Sequence, residues 1–167
     1  MASVRALISP TPAQLRNLSA LCLRSKAYWG YDNDFLAACR EELTLRSDDL
    51  IDHHLGVIGG PPEFDGMVLV GESDDGAELT KLYVDQPAIG RGLGRILFQW
   101  AVETALALGH RTMTIEADPA AAPFYERMGA TQIGDVPSGS IPGRSLPLLR
   151  LDLRNAQADC QSPPITP

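Results

Sequence analysis

Ala88-Ile89-Gly90-Arg91-Gly92-Leu93-Gly94-Arg95-Ile96-Leu97-Phe98-Gln99-Trp100 decides how this chain is read. Glycine occupies every second position from 90 to 94, arginines stand at 91 and 95, and an apolar helical pattern starts at once. Upstream, Ala77 to Val84 predicts a strand. Downstream, Leu93, Ile96, Leu97, Trp100, Ala101, Thr104 and Leu108 keep the spacing of a helix's inner stripe, which Gly109 ends. Strand, tight loop and helix start bring free backbone N–H groups and the positive end of a helix dipole together, a setting that suits an anion. Glycine admits positive φ and a close ligand, and the arginines add charge for a phosphate. The same residues also fit a plain glycine-rich turn before a helix. Two phosphate motifs are excluded. The Rossmann fingerprint needs G-x-G-x-x-G, whereas Gly90, Gly92 and Gly94 give G-x-G-x-G. A P-loop needs Lys and then Ser or Thr after its last glycine, and here Arg95-Ile96 follow.

Working outward, the strand from Ala77 to Val84 has an irregular pattern. Leu79 and Leu82 are three apart, so both face the core only if a bulge inserts a residue. Thr112 to Ala117 predicts the next strand, Asp118-Pro119 a helix start, and Gly129 a helix stop. Closing strands are expected at 130 to 134 and 146 to 153. Toward the N-terminus, Val4 to Ile8 reads as a first strand. Thr11-Pro12 opens a helix with Leu15, Leu18, Cys22 and Ser25 on one face. Asp32 caps a second helix with Phe35, Leu36, Cys39 and Leu43 as its stripe. Two strands follow, around His53 to Ile58 and Gly66 to Val70, parted by Gly59-Gly60-Pro61-Pro62. Alternating strands and helices predict a central sheet flanked by helices. Residues 154–167, rich in proline, are expected to be a disordered tail behind a single domain at 1–153.

Three segments in fixed order carry a resemblance. Glu78-Leu79-Thr80-Lys81-Leu82-Tyr83-Val84, Ile89-Gly90-Arg91-Gly92-Leu93-Gly94-Arg95 and Phe124-Tyr125-Glu126-Arg127-Met128-Gly129-Ala130 resemble the GNAT superfamily of acyl-CoA-dependent N-acyltransferases. The likeness covers about residues 3–153. The segments Ser25 to Tyr31 and Val136 to Arg144 are similar to a bacterial branch of it. The resemblance implies an α/β (α+β) fold, a mixed, mostly antiparallel sheet splayed between strands 4 and 5. Acetyl-CoA would lie in the split as co-substrate. Its pantetheine would pair with Leu82, Tyr83 and Val84, and its pyrophosphate would sit on Ile89, Gly90, Arg91, Gly92, Leu93, Gly94 and Arg95. Two departures stand out. Ile89 replaces the Gln or Arg usual three residues before the middle glycine. Asp118-Pro119-Ala120-Ala121-Ala122-Pro123 replaces a segment in which many relatives carry Asn, and Ala120 has no side chain to hydrogen-bond.

The implied chemistry is acetyl transfer to a primary amine of a small molecule or peptide by direct attack on the thioester. Tyr125 is then the expected general acid at the sulfur, although it also reads as a core tyrosine. Glu78 is the leading general base, with His53 and His54 as further candidates because imidazole titrates near neutrality. Tyr28, Trp29 and Tyr31 would border the acceptor, where aromatic faces suit a cation, or else merely pack under a loop; His54 is placed with them. Arg24 and Arg144 fit either a carboxylate on the acceptor or nearby surface acids. The alternative to an enzyme is a non-catalytic acyl-CoA-binding or sensing domain.

Composition sets the outer bounds. The chain has 167 residues with 14 basic and 21 acidic side chains, a net charge of −7. That balance disfavours nucleic acid and anionic membrane as partners. It leaves room for an amine-bearing substrate and for a homodimer. Neither a secretory leader nor a membrane span is expected, and the three cysteines, Cys22, Cys39 and Cys160, suggest neither disulfide framework nor metal site. The cytoplasm is therefore the expected compartment.

Overall fold

The computed structural model describes residues 1–156. Its strands are β1 Arg5–Ala6, β2 His53–Gly60, β3 Glu63–Ser73, β4 Gly76–Val84, β5 Thr112–Glu116, β6 Thr131–Pro137 and β7 Ser145–Asp152. They form one sheet in the order β1-β2-β3-β4-β5-β7-β6. Every pairing is antiparallel except β4 with β5. The helices are α1 Pro12–Ala27, α2 Asn33–Leu43, α3 Leu93–Ala107 and α4 Ala122–Arg127. This is the mixed, mostly antiparallel GNAT-like architecture expected from the sequence.

Two cores sandwich the sheet. On one face Leu15, Leu18, Leu21, Cys22, Cys39 and Leu43 of α1 and α2 pack on Leu55, Val57, Met67 and Leu69. On the other, Leu97, Phe98, Ala101, Val102 and Ala105 of α3 pack on Val68, Val70, Met113, Ile115 and Leu149. Burial of this apolar surface is the main driving force for the layers. Local signals set the helix starts. Thr11 accepts from the Gln14 amide at 3.2 Å while Gln14 Oε1 accepts from the Thr11 amide at 2.9 Å, a reciprocal cap. Asp32 accepts from the Phe35 amide at 2.8 Å.

Four details depart from expectation. The buried stripe of α3 is Leu93, Leu97, Phe98, Ala101, Val102 and Ala105. Ile96 and Trp100 are only partly buried. The stripe is rotated because α3 is covered on a second side by α4, where Phe98 meets Phe124 edge-on with ring centres 6.2 Å apart. Trp100 instead lies over Gly56, whose missing side chain makes room for the indole. Second, α4 starts at Ala122 rather than at Asp118-Pro119. A turn comes first, with the Ala120 amide donating to Asp118 Oδ1 at 2.9 Å. Third, β3 runs well past the expected 66–70 at both ends. Fourth, Leu153, expected at the end of the last strand, and residues 154–156, expected at the root of the tail, form a helical turn with Leu153 and Ala156 buried. The rest of the expected tail and Cys160 lie outside the described residues. Cys22 and Cys39 are buried free thiols.

The feature that positions the site is the bulge in β4. Leu69 pairs with Lys81 but Val70 pairs with Leu79, so Thr80 is the extra residue. Leu79 is buried and Leu82 packs against the same core, as the sequence pattern required. β4 pairs with β5 only over Ala77 to Leu79 against Met113 to Ile115. Beyond the bulge β4 leans away, while β5 stays on β7. The sheet therefore opens between β4 and β5.

Candidate active site

The opening is a cleft of about 480 Å³. One wall is the free edge of β4 at Leu82, Tyr83 and Val84; the floor is the loop from Ala88 to Arg95; the other wall is Asp118 to Arg127. Past the bulge the backbone groups of β4 that face this side have no strand to bond, so they are available to a ligand.

The loop meets the geometric demands of an anion seat. Gly90 and Gly92 take φ of +86° and +78°, a region that favours glycine. Nothing else crowds either α-carbon, so conformation rather than space requires glycine there. Gly92 is the N-cap of α3 and supplies no side-chain cap. The first amides of α3 are thus left to a ligand or water. Of the ten positions assigned by resemblance to the cofactor, Leu82, Tyr83, Val84, Ile89, Gly90, Gly92, Leu93, Gly94 and Arg95 line the cleft. Arg91 is exposed outside it. Arg127, which the sequence reading did not single out, adds a second guanidinium beside Arg95 to the lining.

Tyr125 is buried on α4 and lines the cleft. Burial pushes its hydroxyl well above the ordinary tyrosine value, and no hydrogen bond offsets that push. Its oxygen is not an enclosed orphan, since no wholly buried side-chain oxygen or nitrogen among the described residues lacks a partner. The hydroxyl is thus held protonated in the residue that joins α4 to the cleft wall. Tyr83, on the facing wall, is likewise pushed up by burial.

The other sequence candidates separate. Trp29 lines the cleft and is 50% exposed, a free aromatic face at the rim. Tyr28 lies outside the lining and meets Trp29 edge-on at 5.4 Å. Tyr31 also lies outside, its ring stacked on Phe35 at 4.0 Å and its hydroxyl on Asp118 at 2.9 Å. Tyr31 is therefore held by its neighbours, whereas Tyr28 is as exposed as Trp29 but stands outside the lining. Glu78 lies in the part of β4 still paired with β5, opposite Thr114, exposed and outside the lining. His54 is exposed on β2 opposite Val70, also away from the cleft. His53 covers Gly71. The histidines lie on the far side of β3 from the opening, because strand order places β2 one strand beyond it.

Sequence reasoning missed a polar cluster at the Trp29 end of the cleft. Lys26 Nζ donates to Asp118 Oδ2 at 2.7 Å, and both residues line the cleft. Tyr31 donates to the same carboxylate, and Arg144 Nη2 donates to Tyr31 Oη at 2.8 Å and reaches Asp118 at 3.4 Å. Burial pushes the Asp118 carboxyl up, but hydrogen bonds from Lys26, the Ala120 amide and Tyr31 outweigh it and hold it below the usual range. Asp118 is thus a stable anion that ties α1, the α1–α2 connector and the β6–β7 loop together. In sequence, Lys26 and Asp118 are 92 residues apart, and no local pattern pairs them.

Comparison with known proteins agrees with this geometry. Residues 14–130 match the family model described as the acetyltransferase (GNAT) family, and the chain belongs to that family. No curated protein matches it in sequence. Its fold is similar to a GNAT acetyltransferase from Desulfovibrio desulfuricans, at 19% identity and a TM-score of 0.68 over 92% of this chain and 99% of that one. It is also similar to the PaiA N-acetyltransferase of Thermoplasma acidophilum in complex with coenzyme A. There the identity is 15% and the TM-score 0.69, over 91% and 99% of the two chains. A GCN5-related N-acetyltransferase from Rhodopseudomonas palustris gives 18% and 0.72 over 91% and 96%. Among the described residues no helix is long and apolar enough to cross a membrane.

Proposed function

We propose that this chain transfers an acetyl group from acetyl-CoA to a primary amine of a small molecule or peptide, by direct attack of the amine on the thioester. The observation that carries the reading is one cleft lined together by Tyr125, the free edge of β4 and the Gly90–Arg95 loop. The loop amides with Arg95 hold the pyrophosphate, and Leu82 to Val84 pair with the pantetheine arm. That places the thioester near Tyr125. The backbone N–H of Val84, which by the register of β4 on β3 points away from β3 to the opened side, meets the oxyanion. The leaving thiolate, with a thiol pKa of about 8.5, is met by a hydrogen bond from the Tyr125 hydroxyl, and the second proton of the attacking nitrogen, lost as the amide forms, replaces any proton that Tyr125 gives up. An alkylamine of pKa about 10.4 must lose a proton before attack. Glu78, exposed on β4 behind the bulge, takes it through water rather than by direct contact.

The test is thiol release from acetyl-CoA over a panel of primary amines, with Tyr125→Phe and Glu78→Gln alongside. Tyr125→Phe should lower kcat roughly 100-fold while coenzyme A affinity, measured by calorimetry, stays within about threefold. Glu78→Gln should lower kcat/KM most on the acid side of the pH profile. Tight coenzyme A binding with no turnover on any amine would sink the reading and leave a sensing domain.

A further inference from the structure

Arg24 and Arg144 both suit a carboxylate, and their surroundings now separate them. Arg24 is spent on the protein itself. Its Nε and Nη2 donate to the two oxygens of Asp85 at 2.9 and 2.7 Å. Arg144 is held differently. Its guanidinium carbon lies 4.8 Å over the Phe35 ring and 5.2 Å over Tyr31, and those two rings stack within 12° of parallel. One nitrogen, Nη2, serves Tyr31 and Asp118. Its Nε and Nη1 donors find no partner among the described residues. A guanidinium carries five N–H donors in one rigid plane, suited to a carboxylate. These ring contacts and the Nη2 hydrogen bond to Tyr31 hold the guanidinium in place.

The charges point the same way. Lys26 and Arg144 bring two positive charges against the single negative charge of Asp118. Their side chains are only 12%, 19% and 13% exposed. Glu42, on α2, reaches the same loop but accepts from the Ser140 hydroxyl and forms no ion pair with Arg144. A half-enclosed surplus of positive charge beside a substrate cleft is relieved when an anion arrives. This runs against the net charge of the whole chain, which is −7.

We propose that Arg144, fixed on the Phe35–Tyr31 stack and backed by Lys26, seats a carboxylate of the acceptor, so that the acceptor is an amine that also carries a carboxylate, such as an amino acid or a derivative of one. The inference rests on the acetyl-transfer reading above. Arg144 lies outside the cleft lining but touches Asp118, which is in the cleft wall, at 3.4 Å, so the seat adjoins the cleft at that residue.

The experiment compares kcat/KM for thiol release from acetyl-CoA with amino acids and with their carboxamides. It does so in the unmodified chain, in Arg144→Gln and in Arg144→Lys. The unmodified chain should prefer the free acids by about 10- to 100-fold, the scale of a charge-assisted hydrogen-bond pair. Arg144→Gln should bring acid and amide within about threefold of each other, and Arg144→Lys should restore part of the preference because charge returns without the fork. Each ratio is taken within one protein, so partial loss of folding cancels. Equal rates for acid and amide in the unmodified chain would overturn the proposal. So would an Arg144→Gln loss shared equally by both acceptor types. If no amine of either type releases thiol from a chain that binds acetyl-CoA, acetyl transfer itself has failed and the acceptor seat falls with it.

Discussion

At the glycine-loop end of the cleft, Leu82–Val84 and Gly90–Arg95 are neighbours in the chain, and their backbone conformation shapes the lining. At the other end, Lys26 and Asp118 line the cleft with Tyr31 and Arg144 behind them, side chains brought from three separate parts of the chain. The first construction depends on backbone conformation, so it tolerates most changes of side chain but not the loss of a left-handed glycine. The second depends on each member, because removing one leaves charged partners without compensation.

The largest effect should come from attacking the backbone. Gly92 holds φ +78° at the start of α3. A β-branched side chain resists that conformation. Gly92→Val should weaken coenzyme A binding by about 30- to 100-fold, a strain of about 2–3 kcal/mol, while amine selectivity among surviving turnovers stays the same. Calorimetry with coenzyme A measures it, and an unchanged affinity would break the contrast between the two ends.

Next comes Asp118→Ala, which strands Lys26 and Arg144. Partial solvent access discounts the cost of the broken pairs, so a loss of about 2 kcal/mol is expected. At this chain length that lowers Tm by about 4–8 °C. Coenzyme A affinity should change less than about threefold. A large fall in cofactor affinity would show that the two ends are one unit. Acid should act on the same group. The folded-state pKa of Asp118 is depressed, so its contribution is present above the unfolded carboxylate value of about 3.9 and is lost as pH falls through the folded value. Melting curves below about pH 4 should be flatter in Asp118→Asn than in the unmodified chain.

The smallest effect should be that of Arg24→Ala. Arg24 pairs with Asp85 at 2.7 Å, and the Arg24 hydrogen bond holds the Asp85 carboxyl below the usual range, but the arginine side chain is 50% exposed. Exposed pairs contribute about 0–1 kcal/mol. A loss in Tm beyond about 4 °C would show that this pair, and not the Asp118 cluster, anchors α1 to the cleft.

The same contrast explains what could be read in advance. Leu79 and Leu82 announced a bulge because strand parity is a local rule, and the bulge at Thr80 is where the sheet parts. Thr11, Asp32, Gly109 and Gly129 marked helix ends because caps and left-handed stops act within one turn. The glycine loop was legible for the same reason. The rotated stripe of α3 was not, since it depends on α4 packing from the second side. Nor was the division among the aromatics. Trp29 is free and Tyr31 is bound only because Asp118 and Phe35 are folded against the latter.

Local covalent order was enough to specify strand, bulge, turn and helix, and with them a cleft fit for a diphosphate, because hydrogen-bond geometry and backbone sterics act over a few residues. Which side chains face one another across that cleft was settled by packing alone. Lys26 and Asp118, or Tyr31 and Arg144, meet because two layers of helices are pressed onto one twisted sheet by apolar burial, a force without direction or memory of sequence distance.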